Sequence, residues 1–216
     1  MLGYHFTADT LRDGRPIPAQ GEWLEYDGPI VPCCTGLHAS EHPFDALQYA
    51  PGSQLHFVEL DGALQSHGDP VNKWVGRRRK ILASIDATDM LCEFARWCAL
   101  QVIDLWDAPY VVRKYLATGD ESLMLAARAA AFDAIVPDVA ASAAWVSTWD
   151  NRHAVHYRRG DDVLARDKAV AASWDAWAAT CNAGGDALAA RVAQRQRFAE
   201  MVDAAFAAIE VTTWIE

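Results

Sequence analysis

The character of the sequence changes near Asp86, and this change limits the folds that the chain can adopt. Before it, short alternating apolar runs are separated by proline- and glycine-rich segments, which is typical of strands joined by turns. After it, alanine and larger apolar residues recur at helical spacing, as on the faces of packed helices. A chain of 216 residues, 52% of them hydrophobic, can bury a core in each part. We therefore predict an α+β fold, with a small mixed-sheet module over residues 1–86 and an alanine- and tryptophan-rich helical bundle over residues 87–216.

Three strands and one short helix are predicted in the first part. The strands are Leu2–Thr7, the run "SQLHFVELDG" and Arg79–Ile85. The middle strand alternates apolar residues on both of its faces, so both faces are expected to be covered. The segment "SEHPFDALQYA" predicts a helix with Ser40 as its N-cap.

The second part reads as a series of helices with recognisable ends. Thr88 or Asp89 is expected to cap the first helix, Gly119 to end the second and Asp120 to cap the third. Two long alanine-rich helices flank "NAGG". One apolar stripe of the first helix is expected to face the core, and it consists of Leu91, Phe94, Ala95, Cys98, Val102 and Leu105.

Charge and composition restrict the partners that the protein can have. A net charge of -10 argues against general nucleic-acid binding, which requires phosphate-neutralising cations. No apolar run approaches the ~18 residues of a membrane span, and Met1 is not followed by a signal-peptide pattern. The five cysteines form no disulfide or metal framework. We expect a cytoplasmic protein with no membrane association, whose acidic helical half either keeps it in solution or mimics nucleic acid.

One basic run departs from this acidic background. The segment "KWVGRRRK", Lys73 to Lys80, contains five of the nineteen basic residues. It is either an anion or partner contact made by Arg77, Arg78, Arg79 and Lys80, or a solvated edge strand whose charges discourage pairing between sheets. The second arrangement is the more common one.

Several segments together resemble a known group of proteins. They are "GLHAS", "DALQYA", "FVELDG" and "KWVGRRRKILASIDAT", followed by "LCEFARWCALQVIDLWDAPYVVRKYLATGDESL". This combination resembles uncharacterised phage and prophage proteins with an N-terminal Gly-x-His-Ala module, and the resemblance continues into the alanine-rich C-terminal region. It implies an origin in a mobile element and assigns no reaction.

The N-terminal module is also loosely similar to the ADP-ribosyltransferase fold. The similarity lies in "YHFT" on the first strand, "GLHAS" before a helix and Glu59 in "FVEL". It implies that His5 binds the ribose of NAD and that His38 stands where an aromatic residue normally stacks on nicotinamide. It also implies that Glu59 contacts a ribose hydroxyl and stabilises an oxocarbenium-like transition state. The sequence departs from that family at His38, and no second acidic residue lies nearby.

Each of these candidates has a structural alternative. Glu59 is either catalytic or ion-paired with one of Arg77–Arg79, since structural ion pairs also bury carboxylates. His5 and His38 are either site residues or hydrogen-bonded members of the core.

Metal binding and cysteine nucleophilicity have less support. Cys34, His38 and His42 are spaced by four, but a glycine and a proline break any helix that would bring them together. No metal site is therefore predicted. No feature of the sequence activates the thiol of Cys33 or Cys34, so neither is expected to be a nucleophile.

Two functions from different classes are consistent with these observations. The first is a phage-associated binding protein that occupies a host or phage protein, with anti-defence inhibition as a specific form. The alternative is an ADP-ribosyltransferase-like enzyme that uses NAD at the N-terminal module. A cleft that holds His5, His38 and Glu59 together would favour the enzyme, and their separation would favour the binding protein.

Overall fold

The computed structural model of the protein describes residues 1–135, 140–149 and 161–213. It divides into two compact units. The first consists of Met1–Ala87 together with the described residues from Phe198 onward, and the second is Thr88–Arg197. The predicted modules, 1–86 and 87–216, differ from these units because residues from Phe198 onward group with the strands. The α+β class is confirmed.

The first unit contains two antiparallel sheets. Its elements are β1 (Leu2–Thr7), β2 (Trp23–Glu25), β3 (Leu37–Ala39), α1 (Pro43–Leu47), β4 (Gln54–Asp61), β5 (Gln65–His67), β6 (Lys73–Gly76) and β7 (Arg78–Asp86). One sheet has the order β1-β4-β7-β2 and the other has the order β3-β6-β5. The predicted strands at β1, β4 and β7 are therefore present.

The pairing of β4 with β7 contains one irregularity. Phe57 pairs with Ala83, but the neighbouring Val58 pairs with Ile81. Leu82 is thus an extra residue without a partner on β4, which is the arrangement of a β-bulge.

Apolar side chains cover both faces of the four-stranded sheet, as expected for β4. On one face, a buried cluster joins the two sheets, and it contains Leu37, Ala39, Val58, Leu60 and Ile81. On the other face, the ring of Phe206 lies 6.5 Å from that of Tyr4 and 6.3 Å from that of Phe57, measured between centroids. These aromatic contacts explain why the C-terminal segment belongs to the first unit.

The second unit is helical. Its elements are α2 (Thr88–Leu100), a 3-10 turn (Ile103–Leu105), α3 (Tyr110–Thr118), α4 (Glu121–Ala134), α5 (Ala140–Ser147) and α6 (Asp161–Asn182), followed by the first part of α7 (Ala187–Thr213). Gly119 ends α3 with φ +67°, and the Asp120 side chain accepts a hydrogen bond from Ser122 N at 2.9 Å. Both ends were predicted, since glycine tolerates this backbone conformation and aspartate caps free N–H groups.

The apolar stripe predicted for α2 is buried as far as Val102. Leu105, which was expected to continue it, is 44% exposed. The helix ends at Leu100 and is followed by the 3-10 turn, so the helical period no longer carries Leu105 to the core. In the part of the chain that the structure describes, no helix is both long and apolar enough to cross a membrane.

Two local predictions are wrong. Neither β6 nor β7 is an edge strand, because β6 lies between β3 and β5 and β7 lies between β4 and β2. The N-cap of α1 is His42 rather than Ser40, and the His42 ring accepts a hydrogen bond from Phe44 N at 3.2 Å. Ser40 instead pairs through its backbone with Tyr4, which holds the start of this segment beside β1.

Candidate functional site

Glu59 lies on β4 and forms an ion pair with its direct partner on β7. The distance from Lys80 Nζ to Glu59 Oε2 is 2.6 Å. The Glu59 side chain is 37% exposed, so the carboxylate sits at the surface with a neutralising partner. The structure thus pairs Glu59 with Lys80 and not with one of Arg77–Arg79.

His5 and Glu59 project from opposite faces of the sheet. Glu59 pairs with Leu2 on β1, whereas His5, three positions further along the same strand, pairs with His56. Side chains alternate between the faces of a strand, and paired residues share a face. The structure therefore does not bring Glu59 together with His5.

His5 and His38, in contrast, lie within electrostatic reach of each other and of several cations. Burial lowers the pKa of His5 well below its usual value, and the charges of Arg79, His56, His38 and Lys73 lower it further. Burial, assisted by Lys73 and Arg79, lowers the pKa of His38 to about 4. Both imidazoles are consequently neutral at pH 7, when each ring has one donor and one acceptor nitrogen.

His56 is a third histidine near Arg79, and together with His5 and His38 it forms a histidine cluster. Its side chain is buried, with Nε2 2.8 Å from Thr7 Oγ1 and Nδ1 2.7 Å from Ser84 Oγ. Burial and the charge of Arg79 lower the pKa of His56 to about 4. The alternation of β4 predicted that His56 faces away from Glu59, but it gave no indication of its two hydroxyl partners.

The four basic residues proposed as an anion or partner contact have different environments. Arg77 donates to the carbonyl oxygens of Asp27 and Gly28, Arg78 is paired with Asp61, and Lys80 is paired with Glu59. Arg79 is only 6% exposed, and its Nη1 donates to the carbonyl oxygen of His38 at 2.8 Å. One signal in the sequence could have separated Arg79 from its neighbours: on a strand it must face away from Arg78 and Lys80.

Lys73 lies at the exposed side of the cluster. Its Nζ is 3.2 Å from the centroid of the Tyr49 ring and 3.9 Å from Cys33 Sγ. Cys33 and Cys34 are exposed free thiols. Over the described ranges, no group of three or more histidine, cysteine or acidic side chains could hold a metal ion.

These elements define a class of domain: an antiparallel two-sheet α+β module with three histidines and one buried arginine on neighbouring strands. Residues 1–93 match the model of an uncharacterised protein family, described as a domain of unknown function (DUF7666). No curated protein and no solved structure matches the chain. The comparisons thus relate the N-terminal region to an uncharacterised family, and the resemblances to phage proteins and to ADP-ribosyltransferases stay predictions.

Proposed function

We propose that the protein is a binding protein rather than an ADP-ribosyltransferase-like enzyme, and that the N-terminal unit is a ligand-binding module. The observation that carries this proposal is the register of β1 and β4, which puts His5 and Glu59 on opposite faces. A carboxylate can stabilise an oxocarbenium-like transition state only when it lies beside the reacting carbon. Glu59 points away from His5 and its charge is neutralised by Lys80. It therefore does not supply the acidic residue that the NAD-dependent alternative requires.

The broader hypothesis is that the protein acts by occupying a host or phage protein. It is supported by the resemblance to phage proteins and by the net charge of -10, which suits a basic partner surface. Inhibition of a defence system is a specific form of this hypothesis. Its test is a titration of the purified 216-residue protein against a candidate partner, in which saturable binding should weaken as salt is raised.

The enzyme alternative is tested by NAD turnover. Wild type, Glu59→Gln and Lys80→Met are incubated with labelled NAD and a bacterial lysate, and both nicotinamide release and label on protein are followed. The proposal predicts no turnover by any of the three. Turnover that is lost in Glu59→Gln and kept in Lys80→Met would overturn it, because Lys80→Met removes the same ion pair without removing the carboxylate.

A further inference from the structure

Arg79 is a buried cation that has no acidic partner among the residues that the structure describes. Its side chain leaves β7 beside Leu60 and is 6% exposed. Within the described part of the chain, its guanidinium makes one hydrogen bond, to the carbonyl oxygen of His38, and no ion pair. Burial lowers its pKa to about 10, and no carboxylate of the described ranges opposes this shift. A guanidinium has five N–H donors, and a buried charge without a partner is costly to fold.

The groups around Arg79 add positive charge and hydrogen-bonding capacity. Lys73 and Arg12 act on His38, and His5 is influenced by Arg79 and Lys73. All the charged groups that shift the pKa of these two histidines lower it. The environment of these histidines is thus positively charged, although the protein has a net charge of -10.

An unpartnered polar atom lies in the same place. His38 Nε2 is buried and has no hydrogen-bond partner in the described chain. The backbone of Gly36 also acts on this ring and partly opposes the lowering of the His38 pKa. Buried polar atoms are nearly always hydrogen-bonded, so an exception of this kind is a place where an ion or ligand could be bound.

We propose that Arg79, His5, His38 and Lys73 bind the phosphate group of a small phosphorylated molecule. The planar guanidinium donates two parallel hydrogen bonds to phosphate oxygens, and Lys73 supplies a second positive charge. Phosphate is favoured over carboxylate because the cluster offers more cationic charge than a monoanion neutralises. This inference deepens the proposed function and rests on the N-terminal unit being a ligand-binding module.

The contrast with the flanking residues distinguishes this site from an ordinary basic strand. Arg78 forms an ion pair with Asp61, and Lys80 forms one with Glu59. Both ion pairs lie at the surface, so the charges of these two cations are already neutralised. Arg79 differs from both because it is buried and forms no ion pair with a described acidic residue. Arg78 is therefore a matched control: it is the same residue type, on the same strand, one position away.

The test is calorimetric titration of the 216-residue protein at pH 7 and constant ionic strength. The probes are pyrophosphate, inorganic phosphate, acetate and ADP, and the proteins are wild type, Arg79→Met and Arg78→Met. We expect pyrophosphate and phosphate to bind and acetate to bind much more weakly. Arg79→Met should weaken phosphate binding by about 10- to 100-fold, the usual worth of hydrogen bonds to a charged group. Arg78→Met should stay within about twofold of wild type, since exposed charges contribute little.

A second measurement reports directly on the histidines. Because phosphate favours their charged form, binding should be accompanied by proton uptake, seen as heats that differ between buffers of different ionisation enthalpy. ADP that binds more tightly than pyrophosphate would identify a nucleotide as the carrier of the phosphate, and equal affinities would assign the site to the diphosphate group alone.

Three results would overturn the inference. The wild type could fail to bind phosphate, acetate could bind as tightly as phosphate, or Arg79→Met and Arg78→Met could weaken phosphate binding equally. If Arg79→Met fails to fold by circular dichroism, Lys73→Met at the half-buried edge of the cluster takes its place, and unchanged phosphate affinity in that variant would reject the site. The result is separable from that of the proposed function, because NAD turnover would overturn the latter whether or not phosphate binds.

Discussion

Glu59 and Lys80 are direct cross-strand partners whose charged atoms lie 2.6 Å apart at the surface of the first unit. Lys80 Nζ also lies 4.5 Å from the centroid of the Trp23 ring. The lysine thus binds a carboxylate and an aromatic face on the same side of the sheet. This combination gives Glu59 a structural role at the surface of the first unit.

Replacing Glu59 should have only a modest effect on stability. We expect Glu59→Gln to lower the free energy of unfolding by about 0.2–1 kcal/mol, the usual range for an exposed ion pair. Urea denaturation of Glu59→Gln, Lys80→Met and the double variant measures the coupling between the two charges. A coupling energy several times larger would show that the carboxylate contributes to stability as a buried group does, in contradiction to its exposure.

Stability should fall as the pH is lowered through the range in which histidines are normally protonated. Burial first, and the charge of Arg79 second, lower the pKa of His56 to about 4 in the folded protein. Between pH 6.5 and 4 the unfolded chain therefore binds a proton that the folded state excludes, at a cost of up to about 1.4 kcal/mol per pH unit. Above pH 6.5 this contribution is constant.

Denaturation of wild type and His56→Gln at pH 7, 5.5 and 4.5 tests this expectation. The variant should be less stable at pH 7, because it loses the contacts with Thr7 and Ser84. Its stability should also fall less steeply with decreasing pH. Parallel curves for the two proteins would contradict the assignment to His56.

Two glycines with positive φ should respond differently to alanine. Gly36 has φ +103°, and an added Cβ would lie 2.5 Å from Val75 Cγ2. Gly14 has φ +82° and no atom within 4 Å of the added Cβ. Gly14→Ala should cost about 1–2 kcal/mol from backbone strain alone, and Gly36→Ala should cost more because Val75 must move. Thermal denaturation of both variants measures the difference, and equal losses would show that Val75 relaxes freely.

The cysteines should fall into distinct reactivity groups. Cys33 and Cys34 are exposed, whereas Cys98 is fully buried and its burial raises the pKa of the thiol. The thiolate is the reactive form, so we expect iodoacetamide to modify Cys33 and Cys34 first and Cys98 only after unfolding. Peptide mass spectrometry of a time course checks this order. Early labelling of Cys98 would mean that α2 opens readily in the native state.

Local structure was largely predictable from the sequence. Leu2–Thr7 forms the strand that its alternation predicts, and Gly119 and Asp120 end and start helices as their conformational preferences require. These features depend on residues close together in the chain. The order of the strands does not, since Thr7 and His56 meet across 49 positions.

The candidate site was only partly predictable for the same reason. His5 and His38 were singled out because "YHFT" on the first strand and "GLHAS" before a helix resemble the ADP-ribosyltransferase pattern. The position of Glu59, in contrast, depends on the pairing of β1 with β4. Arg79 was hidden within four consecutive basic residues. Its burial follows from the alternation of β7 combined with the inner position of that strand, and only the first of these can be read from the sequence.

The β-bulge at Leu82 changes which side chains of β7 share a face of the sheet. Arg79 and Ser84 are five positions apart, and in a regular strand an odd separation places two side chains on opposite faces. Because Leu82 is unpaired, it shifts the alternation of β7 by one residue. Arg79, which pairs with Leu60, and Ser84, which pairs with His56, therefore point to the same side. Deletion of this single residue would restore the regular count and force the strand to keep one of the two pairings and lose the other. The placement of Arg79 on the same side as the Ser84–His56 contact therefore depends on one additional residue, which takes part in neither.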